Sequence, residues 1–260
     1  MPFIDSLFDP ASLLLFVIAV VANTLSAMAG GGAGLLQLPV LIFMGLPFAV
    51  ALATHKIASV ALGVGSTLRY AKEGHFEWVF CLVVLLFALP GVALGAAVIL
   101  QVNEAIATLS LGLLTIGLGV YSLLKSQLGQ QYEPKNRNVK GLLLGGLGVF
   151  CIGFVNGSLT SGTGLFATLW FIFWFGMDYQ RAIAMTMVLV GIFWNGTGAI
   201  TLSLLGDVKW AWVLPLVAGS LVGGYLGANI AVAHGNAWIK RVFELLTLLT
   251  GLSLVIKAAL

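Results

Sequence analysis

Ten apolar runs account for most of this chain, and they leave few folds open. They cover residues 11–29, 33–46, 48–69, 77–100, 104–125, 140–157, 163–176, 181–205, 209–233 and 238–260. Most approach the ~20 residues that an α-helix needs to cross a bilayer. Charged residues make up 8% of the sequence, against roughly 25% in a soluble domain. So few charges cannot coat a chain that is 60% hydrophobic before its 33 glycines are counted. The chain reads as an all-α polytopic membrane protein, with the lipid bilayer as its first partner. A soluble enzyme, a nucleic-acid binder and a disordered chain are excluded. Cys81 and Cys151 fall in apolar runs without metal-ligand spacing and read as small buried thiols. The amino terminus, MPFIDSLFDP, has no basic n-region, so the first run reads as a retained membrane segment rather than a signal peptide.

Two runs are short. Residues 33–46 and 163–176 would form ~21 Å of helix, less than the ~30 Å hydrocarbon core. They hold matching places in two halves of the chain. The glycine cluster at 30–36 answers SGTGLF at 161–166, FMGLP at 43–47 answers FWFGMD at 173–178, and GVALGA at 91–96 answers GGYLGA at 223–228. This is an internal duplication. It predicts an N-terminal repeat at 1–125, a polar linker at 126–139 and a C-terminal repeat at 140–260. Each repeat holds five segments, an odd number, so the second starts from the opposite side and the repeats are inverted. The parity is the same whether the short segments cross or form re-entrant hairpins.

With the amino terminus outside, Arg69, Lys72, Lys125, Lys135, Arg137, Lys140, Arg181, Lys240 and Arg241 all fall inside, as the positive-inside rule requires. That places the chain in a cytoplasmic (inner) membrane, with its linker in the cytoplasm. Inverted repeats with paired, glycine-interrupted short segments are the layout of secondary transporters, whose substrate sits near the midplane where the broken helices meet.

The residues at those breaks suit an anion. Gly30, Gly31, Gly32 and Gly34 precede one short helix. Ser158, Thr160, Ser161, Gly162, Thr163 and Gly164 stand at the matching place in the other half. Glycine lets backbone approach a ligand, and the free N–H groups of a helix start favour negative charge. Lys56 lies about 12 Å into the 48–69 helix, where a lysine either marks a functional site or snorkels toward an interface. His55 beside it either carries a proton, giving the transporter a coupling route, or hydrogen-bonds a neighbour. Asn156 and Asn195 either line a substrate path or bond between helices. For GVALG (91–95), GSLVG (219–223) and GLLLG (141–145) helix packing is the expectation.

Glu73, Glu77, Glu104, Asp178, Asp207 and Glu244 all lie at or near segment ends, which leaves no buried carboxylate for a cation relay. HExxH, GxSxG and a Walker loop are missing. No catalysis, metal or cofactor is expected.

The stretch 30–78 resembles the sulfite exporter TauE/SafE family of membrane permeases. The matching elements are the glycine cluster followed by Leu35, Leu36 and Pro39, Gly45-Leu46-Pro47, Ala51-Leu52-Ala53-Thr54-His55-Lys56, Leu68-Arg69-Tyr70, and the Gly74 to Trp78 turn. The resemblance implies transport of small sulfur-containing anions such as sulfite, sulfoacetate or other organosulfonates. It also brings Thr54 into the candidate set. Two places depart from the family's usual pattern: His55 stands where a serine is common, and Ser161-Gly162-Thr163-Gly164 replaces a glycine run. The alternatives are a structural or assembly membrane protein that transports nothing, or a permease for another small anion or a metal.

Overall fold

The computed structural model describes residues 10–74, 76–98, 104–160 and 162–259. Every regular element among them is a helix. The chain runs α1 (Pro10–Ala29), α2 (Ala33–Phe43), α3 (Phe48–Tyr70), α4 (Trp78–Val98) and α5 (Glu104–Leu124). After the linker come α6 (Val139–Leu159), α7 (Thr163–Phe175), α8 (Tyr179–Leu205), α9 (Trp210–His234) and α10 (Asn236–Ala259). Six of them, α1, α3, α4, α6, α8 and α9, are long and apolar enough to cross a membrane. With 11 and 13 residues, α2 and α7 reach only ~16 and ~20 Å. Neither spans a ~30 Å core.

Helix boundaries follow local chemistry. Asn138 caps α6 by accepting a hydrogen bond from the Gly141 N–H at 2.7 Å, and Asp178 caps α8 through the Arg181 N–H at 2.8 Å. Pro47 precedes α3, where its fixed φ suits an extended entry. Inside α8 the residues Met187–Trp194 wind as a π-helix. Such wide turns recur at functional sites.

With no hydrophobic drive between helices in lipid, close backbone packing holds the bundle. Gly219 and Gly223 of α9 press on α1. A β-carbon at either would lie 2.5 Å from the carbonyl oxygen of Phe16 or Val20. The α4–α6 pair uses Gly91 and Gly153 in the same way, against Phe150 and Ala88. These contacts accord with the packing expected of GVALG and GSLVG, and Gly145 meets the rings of Trp174 and Phe175. Helix α3 packs on α9 and on α8, and α5 packs on α10. At the α3–α8 crossing Gly63 meets Gly191, where a β-carbon on Gly63 would lie 2.5 Å from the facing carbonyl carbon.

The linker is fastened to the bundle. The Glu133 and Lys135 N–H groups donate to the carbonyls of Gly176 and Phe175 at 2.8 and 3.1 Å, satisfying the carboxyl end of α7. The Arg137 guanidinium lies 4.4 Å from the Phe80 ring centroid and 3.0 Å from a Glu77 oxygen.

Two sequence expectations need correction. Cys81 is buried, but Cys151 is on an exposed helix face. Glu244 is not at a helix end: it sits inside α10, 9% exposed. There it pairs with Lys240 one turn away, and Ser122 of α5 donates to it at 2.9 Å. An i, i+4 spacing supplies its counter-ion, so a carboxylate survives in the α5–α10 interface as a neutralised pair.

Candidate functional site

The two chain breaks meet. Helix α1 ends at Ala29, and Gly30, Gly31 and Gly32 follow with φ of 83°, 149° and 104°. These are values that L side chains rarely adopt. A β-carbon on Gly31 would lie 2.6 Å from backbone atoms of Gly164 and Leu165, and one on Gly164 would lie 2.8 Å from Cα of Gly31. The two short helices therefore start against each other, backbone to backbone. Neither start carries a side-chain cap; the Thr163 and Leu165 N–H groups of α7 donate to the carbonyls of Thr160 and Gly162 at 3.3 and 3.0 Å, and the positive ends of the two helix dipoles face each other. The contact is locked from the side: the Thr168 hydroxyl donates to the Gly30 carbonyl at 3.0 Å and shares a 2.9 Å hydrogen bond with Thr186 of α8.

A cavity of about 30 Å³ lies at this junction, room for about two water molecules. It is lined from α1 by Ser26, from the first break by Gly31, Gly32 and Gly34, and from α3 by His55, Ser59 and Leu62. Asn156, Thr160, Thr163 and Gly164 close the second break, and Thr186, Met187, Val190, Gly191 and Asn195 come from α8. The π-helical stretch supplies three of these α8 residues, and its wide turn sets them against the breaks.

The polar groups of this wall are incompletely satisfied. The Ser26 hydroxyl, His55 Nδ1 and Asn195 Oδ1 are buried and have no hydrogen-bond partner. Their residues are 2%, 1% and 6% exposed. Leaving such a group unpaired costs about 1–3 kcal/mol, a cost that a polar guest at this cavity removes. The other ring nitrogen of His55 lies 3.2 Å from the Ser59 hydroxyl, one turn along α3. When that hydroxyl donates to Nε2, the proton of the imidazole sits on Nδ1. Thr160 is strained: it has φ of 61° and ψ of −46°, an outlier for a β-branched residue. It is tied by its own N–H and hydroxyl to the Asn156 carbonyl at 3.1 and 3.0 Å.

Lys56 stands behind this wall. It is fully buried, and its Nζ donates to the Asn156 carbonyl at 2.9 Å and to Oδ1 at 3.3 Å. The Asn156 amide in turn donates to the Thr163 hydroxyl at 2.8 Å, at the start of α7. The Lys56 stem packs on Gly198, where a β-carbon would lie 2.8 Å from Cδ. Among the described residues Lys56 forms no ion pair. It is linked to the cavity through Asn156, and its side chain lies buried within the bundle.

Of the residues singled out from sequence, Gly31, Gly32, Gly34, His55, Asn156, Thr160, Thr163, Gly164 and Asn195 come together around the cavity. Gly30 and Gly162 shape the two breaks from just outside it, and Gly162 is the left-handed residue before α7. Thr54 faces away, donating to the Val50 carbonyl at 2.7 Å and accepting from the Lys209 N–H at 3.0 Å. The Ser158 hydroxyl turns back to the Phe154 carbonyl at 3.1 Å. Ser161 lies outside the described residues. Sequence reasoning missed Ser26, Ser59 and the α8 residues Thr186, Met187, Val190 and Gly191. The i, i+4 spacing of His55 and Ser59 was a signal for one of them.

Comparisons with known proteins agree with the architecture. A probable membrane transporter protein of Haemophilus influenzae is 28% identical over 235 residues, covering 90% of this chain and 90% of that protein. The probable membrane transporter protein YfcA of Escherichia coli K12 is 27% identical over 247 residues, covering 94% and 90%. The probable membrane transporter protein ORF9 of a Sinorhizobium species is 30% identical over 244 residues, covering 93% and 91%. No solved structure gives a significant match. The profile described as "Sulfite exporter TauE/SafE" matches residues 15–254. With that match over nearly its whole length, this multi-pass membrane protein belongs to the TauE/SafE family.

Proposed function

We propose that the chain is a secondary transporter that carries a small sulfur-containing anion, sulfite or an organosulfonate, across the cytoplasmic membrane by alternating access. The observation that carries this reading is the trio of buried, unpartnered polar atoms around a cavity formed by two uncapped helix starts. The oxygens of such an anion accept from the Ser26 hydroxyl and from His55 Nδ1–H, at the positive ends of the two short helices. The Asn195 amide can present either edge and so meets an acid oxygen or a protonated one. Lys56 contributes positive potential through Asn156, where the low dielectric keeps charge effective at a distance. His55 is the group available to couple a proton to the cycle.

The two halves, 1–125 and 140–260, act in this reading as inverted repeats, with 126–139 as a cytoplasmic linker and the amino terminus outside. The packing supports it. The pair α1–α9 corresponds to α6–α4, while α3–α8 and α5–α10 each join an element to its own counterpart. A cavity of about 30 Å³ lies at the site, and rocking of the halves opens it to either side in turn.

Counterflow in proteoliposomes tests the function. Protein loaded with unlabelled sulfite should take up labelled sulfite, and methanesulfonate should compete. Uptake of a divalent metal with no anion flux contradicts the proposal. Orientation has a separate test, because Lys135 in the linker is 59% exposed at its side chain. A cysteine there should react with an impermeant maleimide only after cells are opened, and labelling of intact cells overturns the topology.

A further inference from the structure

Beside the polar cavity lies a second, larger one. Its volume is about 310 Å³ on the scale that gives the first about 30 Å³. The two share Ser26, Gly31 and Gly32 as common wall. Beyond those three the second space is mostly apolar, bounded by Leu25 of α1, Leu36 of α2 and Leu246 and Leu249 of α10, with Thr250 and Ser253 of α10 as its other polar residues. Leu36 and Leu249 are 44% and 56% exposed, so the crevice opens sideways between α1 and α10, where the bilayer would lie. Ser26 is 2% exposed, its hydroxyl is unpartnered, and it stands at the junction of the polar and apolar spaces.

Resting on the anion reading above, we propose that the preferred substrate is an amphipathic anion. Its acidic head occupies the cleft between the helix starts, and a short alkyl chain extends past Ser26 into the α1–α10 crevice. A bare oxyanion leaves the larger space unused. An anion with a chain adds to the same head contacts the burial of each methylene against leucine side chains. The crevice is thereby the specificity element of the site, and Leu25, Leu36, Leu246 and Leu249 are its determinants. A lipid acyl chain is the rival occupant. It has no reason to share a wall with an unpaired hydroxyl and two open-backbone glycines.

The test is inhibition of sulfite counterflow by methane-, butane- and hexanesulfonate, with hexanol as the headless control. Affinity should rise about fourfold for each buried methylene, hexanol should not compete, and Leu249→Trp, which fills the crevice, should flatten the series. A flat series in the unsubstituted protein overturns the amphipathic substrate while leaving the anion reading intact. Inhibition by hexanol equal to that by hexanesulfonate assigns the crevice to lipid and overturns it too. Failure of sulfite and every sulfonate to be carried or to compete removes both readings.

Discussion

Gly31→Ala is expected to abolish anion flux, by at least about a hundredfold, while the protein still inserts and folds. The added methyl meets Gly164 and Leu165 at 2.6 Å, and the three nearest atoms there are all backbone, which cannot rotate aside. It also forces a side chain onto φ of 149°, at a cost of about 1–3 kcal/mol. Gly45→Ala separates the two effects. Gly45 has φ of 96°, yet nothing lies within 4 Å of the place its β-carbon would take. Gly45→Ala should therefore lose less thermal stability, only what the backbone conformation costs, and keep its flux. Flux measured against melting temperature for both variants decides the matter. Parallel loss of flux in the two would mean that the contact of the breaks is only structural.

Lys56→Met should separate stability from function in the opposite direction. A lysine buried without an ion-pair partner carries a desolvation cost that an apolar side chain of similar volume avoids. Melting temperature should change little, because the Asn156 Oδ1 left without its lysine donor offsets that gain. The Asn156 carbonyl is not orphaned, because Thr160 still donates to it twice. Anion affinity should fall about a hundredfold, since the cation nearest the cavity is gone and the Asn156 side chain loses one of its fixed partners. A variant that melts early and binds as before would make Lys56 a packing residue.

Much of the architecture is legible in the residues. Scarce charge and ten apolar runs require helices, because only they satisfy the backbone in lipid without a barrel. The short lengths of 33–46 and 163–176, with glycines ahead of each, mark two helices that cannot span a bilayer. What the sequence hides is rotational and lateral. His55 and Lys56 are neighbours about 100° apart around α3. Which of them meets the cavity depends on how α3 packs against α8, through Gly63 and Gly191. The structure turns His55 inward and Lys56 onto Asn156 and Gly198. The π-helical stretch Met187–Trp194 leaves no mark in a uniformly apolar run, so its contribution of Met187, Val190 and Gly191 was invisible. Glu244 is near the start of its apolar run, and only the full extent of α10 and the facing Ser122 show it buried.

The position of a bound anion tests the central claim most directly. Selenite replaces sulfite with an anomalously scattering atom, and a crystal soaked in it should show one peak between the starts of α2 and α7, within hydrogen-bond reach of Ser26 and His55. A selenium peak away from the facing breaks, with the cavity between Gly31 and Gly164 empty, would contradict the account.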